Sequence, residues 1–281
     1  MGETLNGKYK VDINTEMRLV EQKSKQLIEH SCSEEETEQA MKDFGLERAK
    51  LYGWPNTYVF TKAMGEMLLG HYRESTPIVI IRPTIITSTI SDPFLGWIEG
   101  LKTVDSVIVL YGKGMLKCFL LDHKAVCDLI PVDMVVNAMI AAAAEHSCDS
   151  GSHTVYHVGS SYRNPLIYEN VYEMLVRYFM KSPMLGRNGM PIVPTGTTVS
   201  TMARFRIYTN LCYKLLIQVF GLLSIIFPSQ RDNYEHINRS FKTSMRLVNL
   251  YKPYVLFKGI FEDKNLETFV HLFGTNPKCI D

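Results

Sequence analysis

The run PIVIIR at residues 77–82 is the feature that most restricts how this chain can fold. Its β-branched residues, enclosed by a proline and an arginine-proline pair, predict a short strand buried on both faces. The preceding segment, 57–72, has apolar residues at helical spacing and predicts a helix that Thr57 caps. A helix followed by such a strand is typical of an α/β fold with a parallel sheet.

The same alternation continues along the chain. Residues 15–49 are rich in Glu, Lys and Gln, contain no proline, and predict two consecutive helices, the second opened by a Ser33–Glu36 capping box. Pro55 disfavours the helical conformation at Trp54 and so predicts the end of the second helix. After a loop-rich insertion at 84–114, the other predicted elements are strands at 115–121, 125–131 and 152–161 and helices at 132–146 and 166–181.

A change in composition divides the chain. Residues 182–198 are rich in Gly and Pro, and residues 199–281 predict helices that no longer alternate with strands. The predicted fold class is therefore α/β, namely the C-terminal part of a Rossmann-like domain followed by a mostly α-helical domain. We expect a boundary near residue 182, between an incomplete dinucleotide-binding domain at 1–181 and a helical domain at 182–281.

Composition excludes some classes of protein. A hydrophobic content of 46% over 281 residues is typical of a globular protein, and a net charge of +1 argues against a dedicated nucleic-acid binder. The first residues show no secretory, transit or myristoylation pattern. Six cysteines with no CxxC spacing predict reduced, unpaired thiols: Cys32, Cys118, Cys127, Cys148, Cys212 and Cys279.

The most apolar segment is LCYKLLIQVFGLLSIIFP at 211–228. Lys214 and Gln218 interrupt it before it reaches the roughly 18 apolar residues of a membrane-spanning helix. Two interpretations remain. Packing in the core of the helical domain is favoured, and the alternative is an acyl-chain tunnel or a helix that lies on a membrane surface.

Two copies of a Tyr-x-x-x-Lys pattern occur, YVFTK at 58–62 and YVLFK at 254–258. On a helix, a tyrosine and a lysine four residues apart share one face. A lysine ammonium there favours the phenolate and makes the tyrosine a better acid for a carbonyl that receives hydride. Spacing alone does not separate this chemistry from an ordinary helix start, and the second copy, between Pro253 and Gly259, predicts only a helix end.

The surrounding residues carry a family resemblance. The runs ERAKLYGWPNTYVFTKAMGEMLL, IIRPTIITSTISDPFLGWIEGLKTVDSVIVLYGKG and IPVDMVVNAMI resemble plant fatty acyl-CoA reductases, the male-sterility family. The resemblance continues through KSPMLGRNGMPIVPT, MARFRIYTNLCYKLLIQ and MRLVNLYKPYVLFKGIFED, so that it covers nearly the whole chain.

The resemblance implies an extended short-chain dehydrogenase fold with an added helical domain. It implies NADPH-dependent reduction of long-chain acyl-CoA to a primary alcohol, through an aldehyde, for wax, suberin or pollen-wall lipids. It selects Tyr58 as proton donor and Lys62 as its partner and ribose ligand, and it places the segment Pro83, Thr84 and Ile85, after Arg82, beside the nicotinamide. It further implies the cytosolic face of the endoplasmic reticulum or the cytoplasm, peripheral membrane contact through the helical domain, and possible oligomers.

The chain departs from the family pattern at its start. It contains no GxGxxG, GxxGxxG or GxxxxGK motif, whereas family members begin with a Gly-rich GxTGF-type turn and carry an active-site Ser or Thr upstream of the region matched here. We therefore expect a family member truncated at its N-terminus and also at its C-terminus. The alternative function is an inactive fragment that binds lipid or a partner chain.

Three further polar features are interpreted as structural or solvent-exposed rather than as functional sites. His153 and His157 have the spacing of two helical zinc ligands, but HTVYH alternates like a strand, so core or surface histidines are favoured. Asp133 is predicted to cap its own helix. Lys113, in YGKG, is interpreted as a solvated turn lysine rather than as a ligand of a CoA phosphate.

Overall fold

The structure is a computed structural model that describes residues 6–7, 10–72, 76–147, 153–186 and 188–275, without the side chains of residues 71–72, 212 and 271–275. The described residues form two compact units. One contains the residues up to Ile78 together with His153, and the other contains Val79–Ser147 and the residues from Thr154 onward. The boundary expected near residue 182 lies within the second unit and stays a prediction.

Three helices make up the first unit: α1 (Ile13–Glu29), α2 (Glu34–Leu51) and α3 (Thr57–Tyr72). Asp12 caps α1, and the predicted Ser33–Glu36 capping box opens α2 and is confirmed. The predicted cap of α3 is wrong by one residue. Asn56, not Thr57, accepts the Val59 amide through its side-chain oxygen at 3.0 Å, because Thr57 is already the first helical residue.

The end of α2 depends on a glycine. Gly53 has φ +86°, its amide donates to the Lys50 carbonyl, and the Trp54 amide donates to the Ala49 carbonyl. This pair of bonds is a Schellman motif, which needs a residue in the left-handed region. The end of the helix is where Pro55 predicts it, but Gly53 closes it.

One buried ion pair joins α1 to α2. Glu16, which is buried, accepts hydrogen bonds from Arg48 (Nε, 2.9 Å) and from the Tyr52 hydroxyl (2.7 Å). The Tyr52 ring stacks on Phe60 of α3 with the centroids 5.3 Å apart. The core of the first unit lies around these rings and consists of Val11, Ala49, Tyr52, Phe60 and Met67.

The second unit combines three small sheets with helices. Strand β1 pairs with β5, β2 runs parallel to β4, and β3 runs parallel to β6. In chain order the elements are β1 (Ile78–Pro83), β2 (Ile85–Thr87), α4 (Thr103–Gly112), β3 (Cys118–Leu120), β4 (Leu129–Pro131), α5 (Val132–Glu145), β5 (His153–Val158), α6 (Tyr168–Lys181), β6 (Thr197–Val199), α7 (Met202–Thr209), a π-helical turn (Asn210–Lys214), α8 (Leu215–Ile226), a 3-10 turn (Pro228–Gln230), α9 (Arg231–Val255) and α10 (Lys264–Thr275).

The main core of this unit surrounds β3. Strand β3 is wholly buried, and α4, α6, α7 and α9 cover it with apolar side chains. Fully buried members include Leu120, Phe205 and Val248. The α/β fold class is confirmed by these parallel strands and their helical cover.

Three elements lie where the sequence predicts loops. Strand β2 and helix α4 fall inside the predicted insertion 84–114, and β6 begins inside the predicted loop 182–198 and ends at Val199. Half of α4 is β-branched, and its N-cap residue, Lys102, makes no side-chain cap, so neither propensity nor capping indicates a helix. Packing of Val107 and Ile108 against the core stabilises it.

Strand β1 is less buried than predicted. Only Ile80 is buried, and Arg82 is exposed. Among the described residues β1 pairs along one edge alone, with β5, and its side chains other than Ile80 and Arg82 are half-buried.

The three cysteines whose side chains the structure describes form no disulfide. Cys118 and Cys127 are buried and Cys32 is partly exposed. Burial raises the pKa of Cys127 to about 11. Cys148 and Cys279 lie outside the described residues, as does the side chain of Cys212.

Candidate functional site

The first candidate group lies at the start of α3. Asn56 caps the helix, so Tyr58 falls in its first turn and Lys62 one turn later. The opposite face of α3 is anchored in the core by Phe60 and Met67. The Tyr58 side chain is therefore left 61% exposed, and Lys62 is exposed beside it with its Nζ 5.9 Å from the centre of the Tyr58 ring.

This arrangement fits a proton donor and its electrostatic partner. A cation close to a phenol stabilises the phenolate that remains after proton transfer. The exposed ammonium of Lys62 also has three donors for the hydroxyls of a ligand. The predicted pairing of Tyr58 with Lys62 on one helix face is present in the structure, and their catalytic role stays a prediction.

The second Tyr-x-x-x-Lys copy forms no such pair. Helix α9 ends at Val255, so Tyr254 lies in its last turn and Lys258 lies beyond the helix. The Lys258 ammonium pairs instead with Asp122 at 3.2 Å. The prediction that this copy is an ordinary helix end is confirmed.

In the second unit, the segment between β1 and β2 contains Pro83, Thr84 and Ile85. The Thr84 amide donates to the Val158 carbonyl, and the Ile85 amide donates to the Asp128 carbonyl, each at 3.0 Å. The Thr84 hydroxyl donates to Asp128 Oδ1, also at 3.0 Å. Because these donors are occupied inside the unit, the segment would border a ligand by its shape rather than by the Thr84 hydroxyl or by the Thr84 and Ile85 amides.

Asp128 organises this region and was missed by sequence reasoning. It is buried, and its Oδ1 also accepts the Ser160 amide at 2.7 Å and the Ser160 hydroxyl at 3.2 Å. Its Oδ2 is buried with no hydrogen-bond partner among the described residues. A Cβ on Gly159 would come within 2.7 Å of Thr84 Cγ2 and 2.9 Å of Asp128 Oδ2, so the close approach requires glycine.

The signal for Asp128 was weak but present. The carboxylate in CDLIP stands directly before the apolar strand β4, where a buried charge needs several donors. The sequence does not show that two of those donors come from Ser160, 32 residues later.

Asp133 does not cap its own helix, so that prediction is wrong. The N-cap position of α5 is Pro131, and the Asp133 carboxylate instead accepts the amides of Ile90, Ser91 and Asp92 at 2.8–3.2 Å. Burial alone would raise the pKa of Asp133, but the Ser91, Ile90 and Asp92 hydrogen bonds outweigh it and lower the pKa to about 2. A single carboxylate thus holds the loop that follows β2.

The loop itself, residues 88–101, follows the carboxyl end of β2, the edge at which parallel sheets bind ligands. Thr89 braces it by donating to the Phe94 carbonyl at 2.6 Å and accepting the Trp97 amide at 3.0 Å. Its exposed apolar side chains are Ile90, Phe94, Leu95, Ile98 and Leu101.

The remaining polar candidates are the two histidines of HTVYH and Lys113. Both histidines lie on β5, where His157 Nδ1 is 3.0 Å from the Glu262 carbonyl and Nε2 is 3.3 Å from Arg82 Nη1. Within the described ranges no group of three His, Cys, Asp or Glu side chains is arranged to hold a metal. Lys113 follows α4 directly and is exposed, and its role stays a prediction.

The favoured interpretation of the apolar segment 211–228 as helix core holds for one side only, where Tyr213 is buried. Helix α8 contains no buried residue, and most of its large apolar side chains are exposed. In the part of the chain that the structure describes, no helix is both long and apolar enough to cross a membrane.

Comparison with known proteins gives consistent matches. The NAD-binding family model described as male sterility protein matches residues 9–139 and indicates a nicotinamide cofactor. A protein of Arabidopsis thaliana, numbered 7 in the fatty acyl-CoA reductase series, is 75% identical over 290 residues that include 100% of this chain and 71% of that protein. Fatty acyl-CoA reductase 1 of Arabidopsis thaliana is 61% identical, with 100% of this chain and 57% of that protein covered.

A more distant plant relative is also a fatty acyl-CoA reductase. The alcohol-forming fatty acyl-CoA reductase of Simmondsia chinensis is 45% identical over 95% of this chain and 55% of its own length. Across these three relatives the chain spans from 55% to 71% of their length.

Proposed function

The chain belongs to the fatty acyl-CoA reductase family, and from this premise we propose that it reduces long-chain acyl-CoA to a primary alcohol with NADPH. The observation that carries the proposal is the exposed Tyr58–Lys62 pair at the start of α3. Support for the product comes from the alcohol-forming relative. The choice of NADPH over NADH rests on the family resemblance.

In the proposed mechanism Tyr58 handles the proton. Reduction of an acyl-CoA to an alcohol needs two hydrides: the first would give a hemithioacetal that releases CoA as its thiol and leaves an aldehyde, and the second would reduce that aldehyde. At each carbonyl the added hydride would leave negative charge on the oxygen, to which the Tyr58 hydroxyl would donate its proton. The Lys62 ammonium stabilises the phenolate that results, and the tyrosine is then reprotonated from solvent, to which it is open.

The residues present fit the nicotinamide-ribose end of such a cofactor. Lys62 has an exposed ammonium whose donors suit ribose hydroxyls. We propose Pro83, Thr84 and Ile85 as further cofactor-binding residues that border the nicotinamide by van der Waals contact, because the Thr84 hydroxyl and the Thr84 and Ile85 amides are occupied. When bound, the cofactor supplies the hydride.

The first test is titration of the purified 281-residue chain with NADPH, followed by nicotinamide fluorescence, and an alcohol assay with a long-chain acyl-CoA. We expect micromolar binding and turnover. Tyr58→Phe should lower alcohol formation by about 10² to 10⁴-fold, because a general acid contributes that much, while the NADPH Kd stays unchanged. Lys62→Ala should lower turnover and also weaken NADPH binding.

The second Tyr-x-x-x-Lys copy provides matched controls. Tyr254→Phe and Lys258→Ala make the same chemical changes at a helix end, and both should leave turnover within about twofold, since exposed substitutions have small effects. Unchanged alcohol formation in Tyr58→Phe would contradict the catalytic assignment. A chain that neither binds NADPH nor turns over would contradict the reductase proposal and favour an inactive lipid- or partner-binding protein.

We further propose that the protein works at the cytosolic face of the endoplasmic reticulum or in the cytoplasm, in wax- or suberin-type lipid synthesis. The poor solubility of long acyl chains supports a peripheral membrane contact through the helical region, and an oligomer is compatible with the family resemblance. Fluorescence microscopy of the tagged protein beside a reticulum marker tests the location.

A further inference from the structure

The helical run from α7 to α8 carries one continuous apolar row on its exposed surface. Its members recur every three or four residues, which keeps them on one side of the run. Each is between 44% and 68% exposed. We call these residues the α8 stripe: Ile207, Leu211, Leu215, Val219, Leu222 and Ile226.

The opposite side of the same run is packed, which fixes the direction of the stripe. Phe205, Thr209 and Tyr213 are buried. The Tyr213 ring lies 5.6 Å from the Phe241 ring of α9, centre to centre. The stripe is therefore not the inner face of a loosely packed helix, and nothing else among the described residues covers it.

A polar and basic row accompanies the stripe. Arg206, Asn210, Lys214 and Gln218 each precede a member of the stripe by one residue, and all four are exposed. Arg204 adds another exposed cation. A helix with an apolar face beside a basic face is the pattern of interfacial membrane helices.

The surrounding sequence has one sign of charge. Residues 174–231 contain no Asp or Glu, although the whole chain has 29. The same segment holds seven basic residues: Arg177, Lys181, Arg187, Arg204, Arg206, Lys214 and Arg231. The α8 stripe therefore lies in a stretch of sequence without acidic residues, and its own exposed cations, Arg204, Arg206 and Lys214, complement phosphate-bearing lipid headgroups.

The length of α8 argues for a helix that lies in the interface. Its 12 residues extend about 18 Å, whereas the hydrocarbon core of a bilayer is about 30 Å thick. Exposed Lys214 and Gln218 also suit a headgroup environment.

We propose that the α8 stripe docks on an anionic lipid bilayer, with α8 parallel to the membrane plane and Arg204, Arg206 and Lys214 at the lipid phosphates. The inference deepens the proposed peripheral membrane contact, and it would bring an enzyme for insoluble acyl chains to their source. Binding to lipid needs neither cofactor nor turnover, so its outcome is independent of the reductase test.

Helix α5 provides a matched comparison. It also exposes apolar side chains, among them Met139 and Ile140, but Val132–Glu145 contains no Lys or Arg. If exposed apolar area alone drove binding, α5 would serve as well as α8. The proposal predicts that it does not.

The experiment is co-sedimentation of the 281-residue chain with phosphatidylcholine vesicles, with or without about 30 mol% phosphatidylserine, a typical anionic load. We expect binding to the anionic vesicles only, weakening as salt is raised. Leu222→Gln with Ile226→Gln, and separately Arg204→Gln with Arg206→Gln, should each weaken binding by about tenfold or more. Met139→Gln with Ile140→Gln should bind like the parent.

Every outcome has a defined meaning. Circular dichroism checks that each variant folds, and the substituted side chains are all exposed. The proposal is overturned by equal binding of the parent and either the stripe variant or the arginine variant, by equal loss of binding in the α5 variant, or by no binding to anionic vesicles. A dimer detected by light scattering that the Leu222→Gln, Ile226→Gln variant abolishes would assign the stripe to a second copy of the chain instead.

Discussion

A tyrosine and a lysine four residues apart have chemical meaning only through the helix that carries them. Tyr58 and Lys62 share the first turns of α3 and stand open, whereas Tyr254 ends α9 and Lys258 pairs with Asp122. The two copies share the same Tyr-x-x-x-Lys sequence pattern. They differ in where the helix boundary lies: α3 begins just before Tyr58, so its lysine is on the same helix, whereas α9 ends just after Tyr254 and leaves Lys258 outside the helix.

Asp133 should make stability depend on pH in a defined direction. Its folded pKa of about 2 is below the unfolded value of about 3.9, so its contribution is present above about pH 4 and is lost as pH falls through 2. Asp133→Asn should therefore lower the melting temperature at pH 7, with a difference that shrinks toward pH 2. Melting curves across this range measure it, and Asp232→Asn, at an exposed position of α9, is the control. A constant difference at all pH values would contradict the role of the charge.

The buried ion pair of the first unit predicts a second residue-scale effect. Glu16→Ala leaves the partly buried Arg48 and the Tyr52 hydroxyl without their acceptor. We expect a loss of about 2 to 4 kcal/mol in the free energy of unfolding, since breaking a buried pair is costly. Urea unfolding measures it. Glu21→Ala, at an exposed position on the same helix, should cost about 0.5 kcal/mol or less.

At the scale of elements, those stabilised by local signals were predicted from the sequence, and those stabilised by tertiary packing were not. The capping box of α2 and the apolar spacing of α3 were readable because each signal lies within a single helix and its cap. Helix α4 and strand β6 were not, because the residues that stabilise them are distant in sequence. The register of β6 against β3 pairs Thr197 with Cys118, 79 positions apart.

The β3–β6 pairing predicts a large effect at Gly196. A Cβ there would overlap the Leu116 carbonyl oxygen and come within 3.0 Å of the Tyr111 ring. Gly196→Ala should therefore cost about 1 to 3 kcal/mol, because the backbone must shift. Gly65→Ala, in α3 with nothing within 4 Å, should instead stabilise by about 0.5 to 1 kcal/mol. Equal effects of the two changes in urea unfolding would show that the close approach is not rigid.

At the scale of the whole molecule, the carboxylates predict acid sensitivity. Burial raises the pKa of Asp105, so this carboxyl favours folding at low pH. Six other carboxylates have lowered pKa values and act in the opposite direction. We expect the melting temperature to fall between about pH 5 and pH 2, because carboxylates with lowered folded pKa values lose their stabilisation on protonation. A melting temperature that rises over this range would contradict the prediction. The carboxylates with lowered pKa values are Asp12, Glu16, Glu36, Glu38, Asp122 and Asp133.

The sequence by itself determined the α/β class, the positions of the helices α1 to α3, α5 and α6, and the family, because these depend on periodicity and on runs of neighbouring residues. It also selected Tyr58 and Lys62, through the residues around them. Only the tertiary structure showed that Asp128 ties Thr84 to Ser160, that Asp133 holds the loop after β2, and that α8 faces outward. Each of these depends on groups brought together from distant parts of the chain. The sequence of a buried carboxylate or of an apolar helix is the same whichever partners the fold supplies, so it cannot reveal them.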